Sequence, residues 1–501
     1  MLLCRAMEGL DPRACYRALE TRDERFDGRL FVGVTSTGIY CRPICPAGPA
    51  KFENCRFYAT AAAAQVAGFR PCLRCRPETA PDLGSWRGTS NTVSRGLALI
   101  SEGALDGEDA SVEALAARLG VGARHLRRLF MQHLGATPVM VAQTRRVLFA
   151  KQLIHDTRLP MTEIALASGF GSVRRFNETF QRLYRRPPSA LRRRLVSALP
   201  AGSVAATGVT VRLRYRPPYD WVAILSYLRA RAVPGVELVD GERYSRTVLQ
   251  NGRTGTVEIV HLPDARSLAA TIRFPSVHML PRIVTRIRRV FDLGADVAAI
   301  DAHLARDPLL APLVAERPGL RAPGAWDAFE LAARAVLDQH VSVEAGRERA
   351  GLLAHACGTR MSAALGGDGA LTHAFPDASQ VAAVGQASLG IPASRREALL
   401  GLARAALADA SFLEPLGAVE RTLARLRAVR GIDEWTARYI ALRLTREPDA
   451  FPASDDLLRA AASSNGTRPS PSELTRRAER WRPWRAYAAQ HLWAAREGAH
   501  A

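Results

Sequence analysis

At 501 residues, 48 % of them apolar, the chain is too long for one hydrophobic core and carries material for three or four. Its 69 basic and 48 acidic residues leave a formal charge of +21, which favours a polyanionic partner, nucleic acid first, although with only Lys51 and Lys151 as lysines the arginine excess also fits a biased genome composition. No run of eighteen apolar residues occurs and the N-terminus lacks the basic, apolar, small-residue layout of a secretory signal, so a soluble, cytoplasmic protein with no membrane partner is expected.

Composition divides the chain into four parts. The first, to about residue 80, holds seven of the eight cysteines and alternating runs such as Leu30 to Val34 that read as short strands. Eight cysteines in a cytosolic chain of this length do not form a disulfide framework, so their spacing is what matters. Cys41 and Cys45 form one close pair and Cys72 and Cys75 another, a set that suits tetrahedral Zn²⁺. Spacing alone is equally satisfied by a structural zinc that staples a small domain. Cys4, Cys15 and Cys55 fit no second site of this kind.

The context of these cysteines is Thr37 to Pro43 (TGIYCRP), Phe57-Tyr58-Ala59 and Ala67 to Cys75 (AGFRPCLRC). Together they closely resemble the N-terminal domain of the Ada family over roughly residues 10 to 80. The resemblance implies that the metal activates Cys41 to take a methyl group from a methylated DNA phosphate. Four thiolates on one Zn²⁺ carry two net negative charges, which keeps an exposed sulfur deprotonated and nucleophilic. Methyl transfer removes one of those charges, so affinity for DNA is expected to rise.

The second part, from about Thr92 to Arg194, is basic and patterned as two helix-turn-helix units. In Ser111 to Leu134, Val112, Leu115, Ala116 and Leu119 recur at helical spacing, Gly120-Val121-Gly122 supplies the turn, and Leu126, Leu129 and Phe130 point inward. Arg124, His125, Arg127 and Arg128 are left for the opposite face. Met161 to Tyr184 repeats the plan around Gly169-Phe170-Gly171, with Val173, Phe176 and Phe180 inward and Arg174, Arg175, Asn177 and Arg182 outward. Such a pair resembles the AraC-type domain, in which the second helix of each unit enters the major groove and arginine bonds guanine. The basic run Arg192-Arg193-Arg194 is expected to meet phosphates or solvent. Ser197 to Gly208 (SALPAGSVAATG) then reads as a linker.

Strand-like runs (VTVRLRY, TVEIVHL, SLAATIRF) mix with helical ones from Val209 to about Phe291, and the remainder is helical. Arg216 to Ala232, Asp327 to Val343 and Leu426 to Trp493 resemble the AlkA-type 3-methyladenine DNA glycosylases, a likeness that spans nearly all of residues 209 to 496. Val429 to Tyr439 then looks like a helix-hairpin-helix whose turn, with Gly431 at its centre, aims backbone N–H groups at a DNA phosphate. The chain departs from the usual Pro-Gly-Ile-Gly by carrying Arg430 and Asp433 at the first and last positions. Asp455 matches the family's catalytic aspartate, while Asp456 stands where relatives may carry an aromatic residue. By itself Asp455 before Leu-Leu-Arg is also an ordinary helix N-cap, and the two roles are compatible.

The resemblance implies cleavage of the bond between deoxyribose and base through a cation-like sugar, with the Asp455 carboxylate beneath it and the nucleotide flipped out of the duplex. Gln339 and His340 fall in the wedge region that fills the vacated gap, with His340 replacing a more usual apolar residue. Tyr227, Trp435, Tyr439 and Trp493 match positions lining the base pocket, where aromatic faces favour a cationic alkylated base; core packing is their plain alternative.

No lysine follows Lys151 and no cysteine follows Cys357, so Schiff-base strand cleavage and an iron–sulfur cluster are not expected in this half. A Pro-Cys-His-Arg methyl-acceptor motif is absent. The expected fold class is multidomain α+β: a zinc-bound α/β domain (1–82), an all-α double helix-turn-helix domain (90–196), a linker (197–208), a mixed α/β subdomain (209–292) and an all-α helix-hairpin-helix glycosylase domain (293–496). The expected function is a monofunctional glycosylase for bases such as 3-methyladenine, coupled to a methyl-phosphotriester sensor. The alternative is an alkylation-responsive regulator with a degenerate glycosylase domain. Expected partners are double-stranded DNA with methylated phosphates, alkylated bases or promoter sites, and RNA polymerase, with the protein acting as a monomer.

Overall fold

The computed structural model describes residues 11–80, 91–106, 110–192, 208–362, 369–384, 391–409, 411–414, 419–445, 448–463 and 467–497. Most of the expected linker, with Arg193 and Arg194 before it, lies outside the described residues. The chain divides into two compact units, residues 1–214 with 276–285, and residues 215–275 with 286–501.

The first unit begins with α1 (Pro12–Glu20), capped by Asp11, whose carboxylate accepts from the Arg13 and Ala14 N–H groups. A small sheet follows, ordered β3-β1-β2-β4, of β1 (Phe31–Val34), β2 (Ile39–Cys41), β3 (Cys55–Tyr58) and β4 (Arg70–Pro71). β1 is antiparallel to β2 and β3, and β2 is parallel to β4. Helix α2 (Ala61–Val66) packs on it through Ala64, with Phe31, Tyr40 and Phe69. Gly33 makes room for the Phe69 ring, which would lie 2.8 Å from an added Cβ.

Helices α3 (Asn91–Ser101), α4 (Val112–Arg118), α5 (Ala123–Leu134), α6 (Pro138–Asp156), α7 (Met161–Ala167) and α8 (Val173–Tyr184) complete this unit. The inward residues expected from periodicity are the core: Leu115, Leu126 and Phe130 bury beside Val93 and Ile100, and Phe176 packs edge-on to Phe170 and tilted against Phe180. Gly120 and Gly169 adopt left-handed φ of 70° and 83° at the two turns, which favours glycine there. Ser111 and Ser172 cap α4 and α8.

In the second unit, α9 (Trp221–Arg231) precedes an antiparallel meander; with β5 assigned to Val209–Arg214 of the first unit, its strands are β6 (Glu237–Asp240), β7 (Arg243–Gln250), β8 (Arg253–Leu262) and β9 (Ser267–Arg273). A helical core follows, including α10 (Ala328–Leu337), α11 (Val343–Cys357), α12 (Ala393–Ala408), α13 (Val419–Arg427) and α14 (Glu434–Thr445). Its centre is built from Leu337, Leu353, Leu399, Leu402, Leu426 and Ile440. The short α15 (Asp456–Ala461) and the final helix α17 (Arg485–Glu497) flank α16 (Pro471–Ala478). No helix among the described residues is long and apolar enough to cross a membrane.

Candidate metal centre and carboxylate–aromatic site

Parallel pairing of β2 with β4 brings the cysteine pairs together: Cys41 ends β2, and the Cys72 N–H, just past β4, donates to the Tyr40 carbonyl at 3.0 Å. Turns carry the chain on to Cys45 and Cys75, and the four sulfurs lie within 4.8 Å of one another. Tetrahedral zinc at about 2.3 Å from each sulfur requires separations of roughly 3.8 Å, so this all-thiolate set fits Zn²⁺ and closes without another ligand. Cys45, Cys72 and Cys75 are buried, whereas Cys41 is half-buried. The Arg42 N–H donates to Cys75 Sγ at 3.4 Å and the Arg74 N–H to Cys72 Sγ at 3.3 Å. Among the described residues no backbone N–H donates to Cys41 Sγ.

The surrounding charges were not legible beforehand. Arg42 is buried, pairs bidentately with Asp27, and donates to the Cys75 carbonyl at 3.0 Å. Lys151 on α6, also buried, donates to the Cys72 carbonyl at 2.7 Å and to Glu78 at 2.8 Å. The metal loop is therefore fastened to the central helix of the helix-turn-helix array by a charge-assisted contact.

On the two second helices, Arg124, Arg128, Arg174 and Arg175 are all exposed. Arg128 meets His125 at 3.0 Å and Arg174 pairs with Glu178 at 2.8 Å, surface contacts of little energetic weight.

In the second unit, Asp455 caps α15, its Oδ1 accepting from the Leu458 N–H at 2.9 Å. Its carboxylate is only 5 % exposed and also accepts from the indoles of Trp435 and Trp493, each at 3.2 Å. Trp435 stacks on Tyr439 with centroids 5.4 Å apart and planes 12° from parallel. The structure thus brings Asp455, Trp435, Tyr439 and Trp493 into one site. Tyr227 joins them through a residue that sequence reasoning missed: the Arg443 guanidinium lies 5.5 Å from the ring centroids of Tyr227 and Trp493 and 5.6 Å from Tyr439. It is tethered to the Pro323 carbonyl at 2.9 Å. The cation-π faces expected for the base pocket therefore already hold an internal cation.

The hairpin between α13 and α14 has Gly431 at φ 89°, packed so closely on α12 that an added Cβ would lie 2.8 Å from Ala398 Cβ. Asp433 proves to be the cap of α14, accepting from the Thr436 N–H at 2.7 Å, which gives this departure a structural account. Gln339 and His340 are separated: Gln339 is buried and donates to Thr436 Oγ1 at 2.9 Å, while His340 is exposed at left-handed φ 52° and meets Asp433 at 3.0 Å.

Three family models match the chain: the metal-binding domain of Ada over residues 14–78, a helix-turn-helix domain over 115–194, and the AlkA N-terminal domain over 210–327. A Mycobacterium tuberculosis protein described as a probable bifunctional transcriptional activator/DNA repair enzyme AlkA is 41 % identical over 485 residues, 96 % of both chains. The Escherichia coli DNA-3-methyladenine glycosylase 2 is 34 % identical over 284 residues, 56 % of this chain and 95 % of its own. The solved 3-methyladenine DNA glycosylase of Archaeoglobus fulgidus shares the fold at TM-score 0.51 and 18 % identity, over 56 % of this chain and 96 % of that one. The chain belongs to the family of AlkA-type bifunctional transcriptional activator and DNA repair proteins.

Proposed function

We propose that this protein excises alkylated bases such as 3-methyladenine by hydrolysing the N-glycosidic bond, and that its first unit senses methyl phosphotriesters and regulates transcription. The observation that carries the excision reading is the Asp455 carboxylate held by two indole N–H groups at the edge of an aromatic cluster. A carboxylate fixed in this way can stand beneath a developing sugar cation without reorganising, and an alkylated purine leaves without a strong general acid. Water adds to the sugar carbon as the base departs. With no lysine near the site the reaction stops at the abasic sugar, so the enzyme is monofunctional. His340, Gly431 and the exposed hairpin face the duplex in this reading, with Gln339 supporting them from beneath through Thr436 and with Tyr227, Trp435, Tyr439 and Trp493 around the extruded base.

Zinc, when bound, keeps its sulfur ligands deprotonated at neutral pH. Cys41 is then the acceptor, because it is the least buried of the four and its sulfur is spared the backbone N–H bonds that quieten Cys72 and Cys75. The methyl carbon passes from phosphate oxygen to Cys41 Sγ, leaving an ordinary phosphodiester. Arg124, Arg128, Arg174 and Arg175 read promoter DNA from the two second helices. The domain division at 1–82, 90–196, 209–292 and 293–496 belongs to the same reading, as do a monomeric state, a cytoplasmic location and RNA polymerase as partner. Release of 3-methyladenine from methylated duplex by the wild type, lost in Asp455→Asn, tests excision. A one-methyl mass increase on Cys41 tests the sensor. Absence of base release from a folded wild type would leave a regulator with a degenerate glycosylase domain.

A further inference from the structure

We propose that Asp338 is a specificity-determining residue of the base pocket, selecting bases that present an amino group over those that present a carbonyl oxygen at the same edge. The inference rests on the excision reading and adds a base-recognising group to it. A cavity opens beside the aromatic cluster, with Tyr227, Tyr439 and Arg443 forming one wall and Asp338 among its other lining residues. The Arg443 guanidinium also faces Trp493, whose indole holds Asp455, so the cavity and the carboxylate site share a wall.

The acidic groups of this cavity differ in what they have left to offer. Glu237 accepts from the Tyr244 hydroxyl at 2.6 Å and from Arg334 at 2.9 Å, and Glu330 from Arg246 at 2.8 Å. Asp338, directly after α10, makes no side-chain hydrogen bond or ion pair among the described residues. Burial pushes its carboxyl above the ordinary range, against the opposing field of Arg334, Arg231, Arg349 and Arg395. Its place is kept by Gly346 on α11, where an added Cβ would come 1.8 Å from Asp338 Oδ1. A half-buried acceptor with unspent capacity, held in a fixed position at a cavity wall, is a recognition group in search of a donor.

A carboxylate only accepts hydrogen bonds. An adenine-type base offers the 6-amino group to it. A guanine-type base offers an oxygen there, and two acceptors facing each other leave both unpaired, which costs more than a missing contact. Asparagine can turn its amide to donate instead, so Asp338→Asn should relax the preference.

The test uses the full chain and a duplex carrying both 3-methyladenine and 7-methylguanine, with release of each base measured under single turnover alongside the melting temperature. In Asp338→Asn the ratio of 3-methyladenine to 7-methylguanine release should fall by about tenfold or more. Gly346→Ala, which must displace the carboxylate, should move the ratio in the same direction and covers the case of an Asp338 variant that does not fold. A ratio unchanged in both folded variants, or equal losses for both bases, overturns this proposal alone. A folded wild type that releases neither base overturns the excision reading and this proposal with it.

Discussion

The Trp493 indole N–H donates to Asp455 Oδ1 at 3.2 Å, across 38 residues of sequence. The partner oxygen, Oδ2, takes the Trp435 N–H at the same distance. Each carboxylate oxygen is thereby pinned by a rigid aromatic donor, so the carboxylate's direction depends on where the two rings are packed.

Removing one pin should therefore affect chemistry more than stability. Trp493→Phe keeps an aromatic ring but deletes the N–H, and base release under saturating DNA should fall about ten- to a hundredfold, with a smaller change in DNA affinity. Asp455→Asn keeps a competent helix cap but leaves one indole N–H without an acceptor, so the melting temperature should fall by only a few degrees while release falls by about a hundredfold or more. Equal losses of melting temperature in both variants would mark the pair as structural support only.

What could be read from the sequence was local. The cysteine set, the glycine turns and the inward faces of α5 and α8 follow from spacing within single segments, and Asp455 as a cap follows from its neighbours. Arg443 could not be found this way, because Tyr227, Tyr439 and Trp493 converge on it from three different helices. Lys151 likewise gains its meaning only when α6 is laid against the Cys72 loop. In a linear reading Asp433 is only a departure from the usual hairpin sequence. In three dimensions it both caps α14 and faces His340.

Metal removal should separate the two chemistries. The small sheet carries only two modest apolar clusters and closes around the four sulfurs, so a chelator should raise hydrogen exchange across residues 11 to 80 while base release by the second unit persists. Lys151→Met, which deprives buried Glu78 and the Cys72 carbonyl of their donor, should lower the stability of the first unit by about 3 kcal/mol and leave base release unchanged. Concerted loss of both activities on chelation would contradict this division.

Acid sensitivity should reside in the second unit's buried ion pairs. Burial raises the Glu237 carboxyl, but the Arg334 and Arg246 guanidiniums outweigh it and leave the group below the ordinary carboxylate range. The native state then holds fewer protons than the unfolded chain, so this stabilisation is complete above the ordinary range and disappears as pH falls through the depressed value. Glu237→Gln should cost about 3 kcal/mol at neutral pH and flatten the acid limb of a denaturation midpoint plotted against pH. An unaltered acid limb would assign the sensitivity to other groups.

The hairpin gives the sharpest electrostatic prediction. Asp433 carries a negative charge at the turn whose backbone N–H groups point toward a phosphate in the proposed complex, and His340 at 3.0 Å is its nearest compensation. Asp433→Gly removes the charge while glycine remains an acceptable cap, so stability should drop by only about 0.3 kcal/mol. DNA affinity should rise several-fold, and the dependence of log affinity on log salt should steepen by up to about one unit. His340→Ala, which takes away the partner at 3.0 Å from Asp433, should shift affinity the opposite way. Weaker binding by a fully folded Asp433→Gly would mean that the pairing with His340 orders the loop for DNA, and that this ordering outweighs the repulsion it replaces.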